Sequence, residues 1–154
     1  MLSADIIEGF KKAGIDRQYR ANEPIFLANE PSTGMYLILQ GEAKVIRRIP
    51  NGQTIEVAVI SAGQTMGEIS LLLGQAHSAT VIAKTDVQAS LLTQRRLEDL
   101  RHTDPELTMR LFEILAYTLA GHVINLNRQV DDMRKQMNRL EERVKQEHST
   151  FSYY

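Results

Sequence analysis

The stretch Gly63–Thr85, GQTMGEISLLLGQAHSATVIAKT, constrains this chain more than any other. A strand must end there, turn sharply on Met66-Gly67-Glu68 and enter the short apolar segment Ile69-Ser70-Leu71-Leu72-Leu73. Gly74 stops that segment, a loop follows, and Ala79-Thr80-Val81-Ile82-Ala83 resumes as a strand. A glycine turn that opens a short helix leaves several backbone N–H groups unpaired and pointing outward. A phosphate can sit there without a dedicated cation. Glu68, beside the glycine, is a carboxylate acceptor suited to sugar hydroxyls. The same strand–turn–helix–strand insertion also occurs as a purely structural element, so the residues alone leave both readings open.

Gly67, Glu68, the apolar segment and the run Ala79-Thr80-Val81 followed by Ala83-Lys84-Thr85 resemble a known motif. It is the phosphate-binding cassette of the cyclic-nucleotide-binding domain family, found in catabolite-activator regulators, cyclic-nucleotide-dependent kinases and gated channels. The resemblance runs from about Phe10 to about Ala120. It implies a mainly β fold with flanking helices, an antiparallel β-roll of jelly-roll type. In that family the glutamate holds a ribose hydroxyl, and an arginine followed by a small residue pairs with the cyclic phosphate. Here the arginine position holds His77, followed by Ser78. The implied ligand set is Gly67, Glu68, Ile69, His77 and Ser78, with cyclic AMP or cyclic GMP as ligand. His122 falls where the family's long helix approaches the base. A histidine lacks the planar fork that grips phosphate with two parallel bonds, so weak binding is expected.

The residues before the cassette support the same class independently. Ser3 caps an expected helix through Ala13, with Ile6, Ile7, Phe10 and Ala13 on one face and Gly14 ending it. Extended pieces between Arg17 and Leu27 break at Asn22-Glu23-Pro24. Strands are expected at Met35–Leu39, at Ala43–Arg47, and at Thr54–Ile60 after the turn Pro50-Asn51-Gly52. In the last of these, Ile55, Val57 and Val59 are expected on one face. Short strands at this spacing predict an antiparallel sandwich or barrel. Asn22 and Asn29 stand where the family often has glycine, and asparagine tolerates the same left-handed geometry.

After a strand over Asp86–Thr93 and a helix ending near His102-Thr103, Asp104-Pro105 restarts a helix as cap and first residue. Nothing stops it before about Ser149 except Gly121, which costs roughly 1 kcal/mol in a helix interior. A helix of that extent is on the order of 65 Å long. In its far half, Val123, Leu126, Val130, Met133, Met137, Leu140 and Val144 recur at alternating spacings of three and four. The first, third, fifth and seventh are a positions and the others d, a pattern that favours a parallel two-stranded coil. The expected organisation is a roll over 1–120, a dimerising helix over 105–148 and a tail over 149–154.

Composition excludes several classes. Lys plus Arg number 18 against 19 Asp plus Glu, too balanced for a protein that coats nucleic acid. There are no cysteines, hence no disulfide frame, zinc–thiolate site or thiol nucleophile. The opening residues lack a basic region followed by an apolar core, so no signal peptide is expected, and no apolar run approaches the roughly 20 residues that span a membrane. A cytoplasmic protein is expected. Metal-dependent cupin-type enzymes share a related barrel but need closely spaced histidines, whereas His77, His102, His122 and His148 are isolated. The expectation is therefore no enzyme, no metal and no cofactor. No recognition helix can be built from the residues after the long helix, so direct DNA binding is not expected. The functional expectation is a non-enzymatic regulatory sensor signalling through a helix dimer to an unknown downstream protein. The alternative is a ligand-independent dimeric scaffold with a degenerate nucleotide site.

Overall fold

The computed structural model describes residues 4–151, with side-chain surroundings for 4–146. The expected cap Ser3 lies outside the described residues, as do 152–154 of the expected tail. The chain divides into two compact units between Leu115 and Ala116.

The first unit opens with α1 (Ala4–Ala13), followed by β1 (Ile15–Tyr19), β2 (Pro24–Phe26), β3 (Met35–Gln40), β4 (Glu42–Arg48), β5 (Thr54–Ser61) and β6 (Thr65–Met66). Then come α2 (Glu68–Leu73), β7 (Thr80–Ala83), β8 (Val87–Leu92), α3 (Gln94–Thr103) and the start of α4 (Pro105–Phe151). The strands form two four-stranded sheets, ordered β1-β8-β3-β6 and β2-β7-β4-β5, with every pairing antiparallel. This is the expected β-roll. Asn22 and Asn29 hold φ of 69° and 67°, the left-handed geometry asparagine was expected to accept.

Alternation along β3 explains why Met-Tyr-Leu-Ile is buried at every position. Tyr36 and Ile38 join Ile25, Phe26, Val81, Ala83, Val87, Ala89 and Leu91 in one core, drawn from both sheets. Met35 and Leu37 point the other way, into a second core with Phe10, Leu71, Leu92, Leu97, Leu100, Leu111 and Ile114. A sheet covered on both faces loses the polar–apolar alternation that marks a half-exposed strand. Each such side chain contributes roughly 1.5–3 kcal/mol through burial. Helix punctuation follows the sequence closely. Thr93 Oγ1 accepts the Arg96 N–H at 3.2 Å, and Asp104 Oδ1 accepts the Leu107 N–H at 3.0 Å.

One local expectation is corrected. In β5 the register with β4 passes from Val45↔Ala58 to Ile46↔Glu56, leaving Val57 as the extra residue of a bulge. Val59 pairs with Lys44 and Ile55 with Arg47, on alternate faces of β4, so Ile55, Val57 and Val59 do not share a face. The turn after β4 lies at Pro50-Asn51-Gly52, as expected. Gly52 alone takes positive φ, and Ile49 N–H bonds to the Gln53 carbonyl at 2.8 Å.

α4 passes through Gly121 without interruption and reaches Phe151, beyond the expected end. In the second unit Val123, Leu126, Val130, Met133, Met137, Leu140 and Val144 are all exposed. Among the described residues one helix, within Pro105–Gln146, is long and apolar enough by length and composition to cross a membrane. No such span was expected from the length of its apolar runs. Core-facing Leu111, Ile114 and Leu115 and exposed Val123 and Ile124 both contribute to that apolar content, though they serve different surfaces.

Candidate functional site

The cassette bridges the two sheets. It leaves one through β6, whose Thr65 and Met66 pair with Leu37 and Tyr36, and enters the other through β7. Two glycines make its seat. Gly67 turns at φ 83°, and a Cβ there would lie 2.6 Å from the Gly34 carbonyl oxygen. Gly34 has φ 140°, and its own Cβ would lie 2.3 Å from the Leu92 carbonyl oxygen. The backbones stack too closely for any side chain at either position. Gly34 was missed in the sequence, although Ser32-Thr33-Gly34 immediately before a strand is a turn signal.

α2 is six residues long and is pinned by Leu71, which is 3% exposed in the helix-side core. Glu68 and Ser70 are buried on the same short helix, while Ile69, Leu72 and Leu73 face outward. Ser70 Oγ donates to the Ala76 carbonyl at 3.5 Å, tying the helix to the loop that follows it. Gly74 closes the helix at φ 62°.

His77 occupies a different environment from its neighbours. Ala76 and Ser78 are exposed, whereas His77 is 2% exposed. Its ring stacks on Phe26 at 3.9 Å between centroids and 15° between planes. Nε2 accepts the Thr33 N–H at 3.4 Å, so the hydrogen of the neutral ring sits on Nδ1. The His77 N–H donates to the Glu30 carbonyl at 3.0 Å, and its own carbonyl accepts the Asn29 N–H at 2.8 Å. Burial pushes its pKa below the usual 6.5, with the Glu30 carboxylate opposing the shift. Beneath it, Thr33 Oγ1 and the Tyr36 hydroxyl lie 2.9 Å apart, and Tyr36 also neighbours Tyr19. Burial, then Tyr36, holds the Tyr19 hydroxyl protonated far above its ordinary range.

Gly67, Glu68 and Ile69 lie at the start of α2, and His77 and Ser78 lie in the loop between α2 and β7. His122 is exposed on α4 in the second unit. Another concavity, of about 360 Å³, lies between α1 and the start of α4, lined by Asp5, Glu8, Lys12, Asp104, Glu106 and Arg110 among others. It is open and of mixed charge, without the buried polar groups of a built site. Among the described residues no group of three or more His, Asp or Glu is placed to hold a metal ion.

The family profile of the cyclic nucleotide-binding domain matches residues 16–104, more than half of the chain. The chain belongs to the cyclic nucleotide-binding domain family. It is 27% identical over 117 residues to the cAMP-activated global transcriptional regulator CRP of Haemophilus influenzae, covering 75% of this chain and 50% of that protein. A CRP-like cAMP-activated global transcriptional regulator of Mycobacterium tuberculosis is 23% identical over 124 residues, covering 75% and 55%. The chain spans about half the length of these curated relatives. The solved cyclic nucleotide-binding domain of Methylobacillus flagellatus KT superposes with TM-score 0.72 at 23% identity, covering 80% of this chain and 70% of that one. The c-di-GMP-responsive regulator CLP of Xanthomonas campestris superposes at 0.74 with 17% identity, covering 84% and 63%. These superpositions speak for the fold.

Proposed function

We propose that the chain is a non-enzymatic, cytoplasmic sensor module that binds a cyclic nucleotide at the Gly67–Ser78 cassette and signals through a dimer of its C-terminal helix. The observation that carries this reading is the cassette itself. A glycine seat formed by Gly34 and Gly67 presents Glu68, buried, at the start of a short helix between the two sheets. In this reading Glu68 takes the ribose hydroxyl, the main chain of Gly67–Ile69 with Ser78 takes the phosphate, and His77 stands in for the family's arginine. Hydrogen bonds to charged groups contribute about 1.5–3 kcal/mol each, so affinity is at least about tenfold below that of an arginine-bearing site. Calorimetric titration with cyclic AMP and cyclic GMP tests this. His77→Arg should gain at least about tenfold at neutral pH.

A second reading, a ligand-independent dimeric scaffold, is favoured by one observation. The His77 ring is already buried with its acceptor nitrogen engaged by Thr33. It predicts no binding heat with either nucleotide at any pH, and none after His77→Arg.

A further inference from the structure

His77 joins two loops that are distant in sequence. Its main chain bonds in both directions to Asn29 and Glu30, and its ring accepts from Thr33 while covering Phe26. The segment between β2 and β3 is thereby zipped to the segment between α2 and β7. Of these bonds, only the one to the ring depends on protonation. A neutral imidazole accepts the Thr33 N–H, whereas an imidazolium has no acceptor and sets two donors against each other. The closed arrangement also carries a cost, because Ser32 Oγ, adjacent to Thr33, is buried without a hydrogen-bond partner.

We propose that His77 is a proton-operated latch, closing the cassette loop onto the β2–β3 loop when neutral and releasing it when protonated. This deepens the ligand reading above and rests on it only for what the opened loop admits. The charged group acting on the ring is Glu30, on the β2–β3 loop, which favours the imidazolium. The cassette's other carboxylate, Glu68, sits at the opposite end of α2, and the packed faces of β2 and β3 offer Phe26 and the Tyr36 hydroxyl. Burial opposes protonation, so release occurs below the ordinary histidine range.

The test needs no ligand. The protection factor of the Thr33 amide, corrected for intrinsic exchange, is followed from pH 7.5 to 5 alongside the NMR titration of the His77 ring. Between the ordinary histidine value of about 6.5 and the ring's lower value in the closed loop, protection should fall up to tenfold per pH unit, the slope of a single linked proton. His77→Gln keeps an amide oxygen as acceptor and should stay protected throughout. His77→Arg has no acceptor and should be unprotected throughout. Thr33 protection that ignores the ring's titration, or that falls identically in His77→Gln, overturns the latch. Cyclic AMP titrations of the same three proteins separate the two ideas. A titrating latch with no nucleotide heat at any pH sinks the ligand reading alone, whereas nucleotide binding together with Thr33 protection that ignores the ring's titration sinks the latch alone.

Discussion

Gly67 and Gly74 bracket the same helix with positive φ, yet they are unequal residues. A Cβ at Gly74 meets nothing within 4 Å, whereas one at Gly67 strikes the Gly34 backbone. A left-handed non-glycine costs roughly 1–2 kcal/mol by itself. Gly74→Ala should therefore cost about 1 kcal/mol and Gly67→Ala at least about 2, since a backbone atom cannot swing aside. Urea midpoints at constant m-value decide it, and equal losses would show that the seat tolerates a side chain. His77 gives a second expectation. Its pKa is lowered by folding, so the unfolded chain binds more protons than the folded one just below pH 6.5. The stability it contributes is complete above that value and is lost as pH falls through the lower, folded value. Relative to the native protein, His77→Gln should flatten stability over that window. The sequence located this residue but not its posture, because the stacking partner Phe26 and the donor Thr33 lie far earlier in the chain.

At the level of elements, α2 shows why an apolar run is weak evidence of which residue matters. Ile69-Ser70-Leu71-Leu72-Leu73 has too few turns for a face to emerge, and only Leu71 is buried among its leucines. Leu71→Ala should cost about 2–5 kcal/mol by opening a cavity under the cassette. Leu73, 62% exposed, should change stability by no more than about 0.5 kcal/mol on the same substitution. A comparable loss at both would mean that the helix is held by its whole apolar surface. Where punctuation is local, the sequence is readable: Gly14, Asp104-Pro105, Asn22 and Asn29 all act as their chemistry requires, whereas Thr93, expected as the end of a strand, caps α3. The β5 bulge is not readable. Val57 is set apart only by the pairing of β5 with β4, which no local residue signals. The Gly34–Gly67 contact is hidden for a related reason, since each glycine alone signals a turn but not its partner.

For the whole molecule, the open matter is what covers the stripe from Val123 to Val144. Seven apolar residues, each about half exposed or more, continue over three heptads along a stretch of α4 that, apart from Ile124, is otherwise polar. A second copy fits their spacing, because a and d side chains alone form a narrow seam rather than a broad face. The expected state in solution is thus a dimer at micromolar concentration, measured by sedimentation equilibrium in detergent-free buffer. Replacing Leu126 and Leu140 together by lysine sets like charges at the seam and should give monomer while the roll stays folded. The chain contains no cysteine, so a single introduced thiol reports direction as well as association. Val130→Cys faces its own copy in a parallel, in-register coil and should form a disulfide-linked dimer on mild oxidation, whereas an antiparallel pair opposes different residues. Native protein that sediments as a monomer would overturn the dimer, and a dimer that Val130→Cys fails to cross-link would overturn its parallel order. Protein that stays dispersed only in detergent would instead assign the apolar stretch of α4 to a membrane.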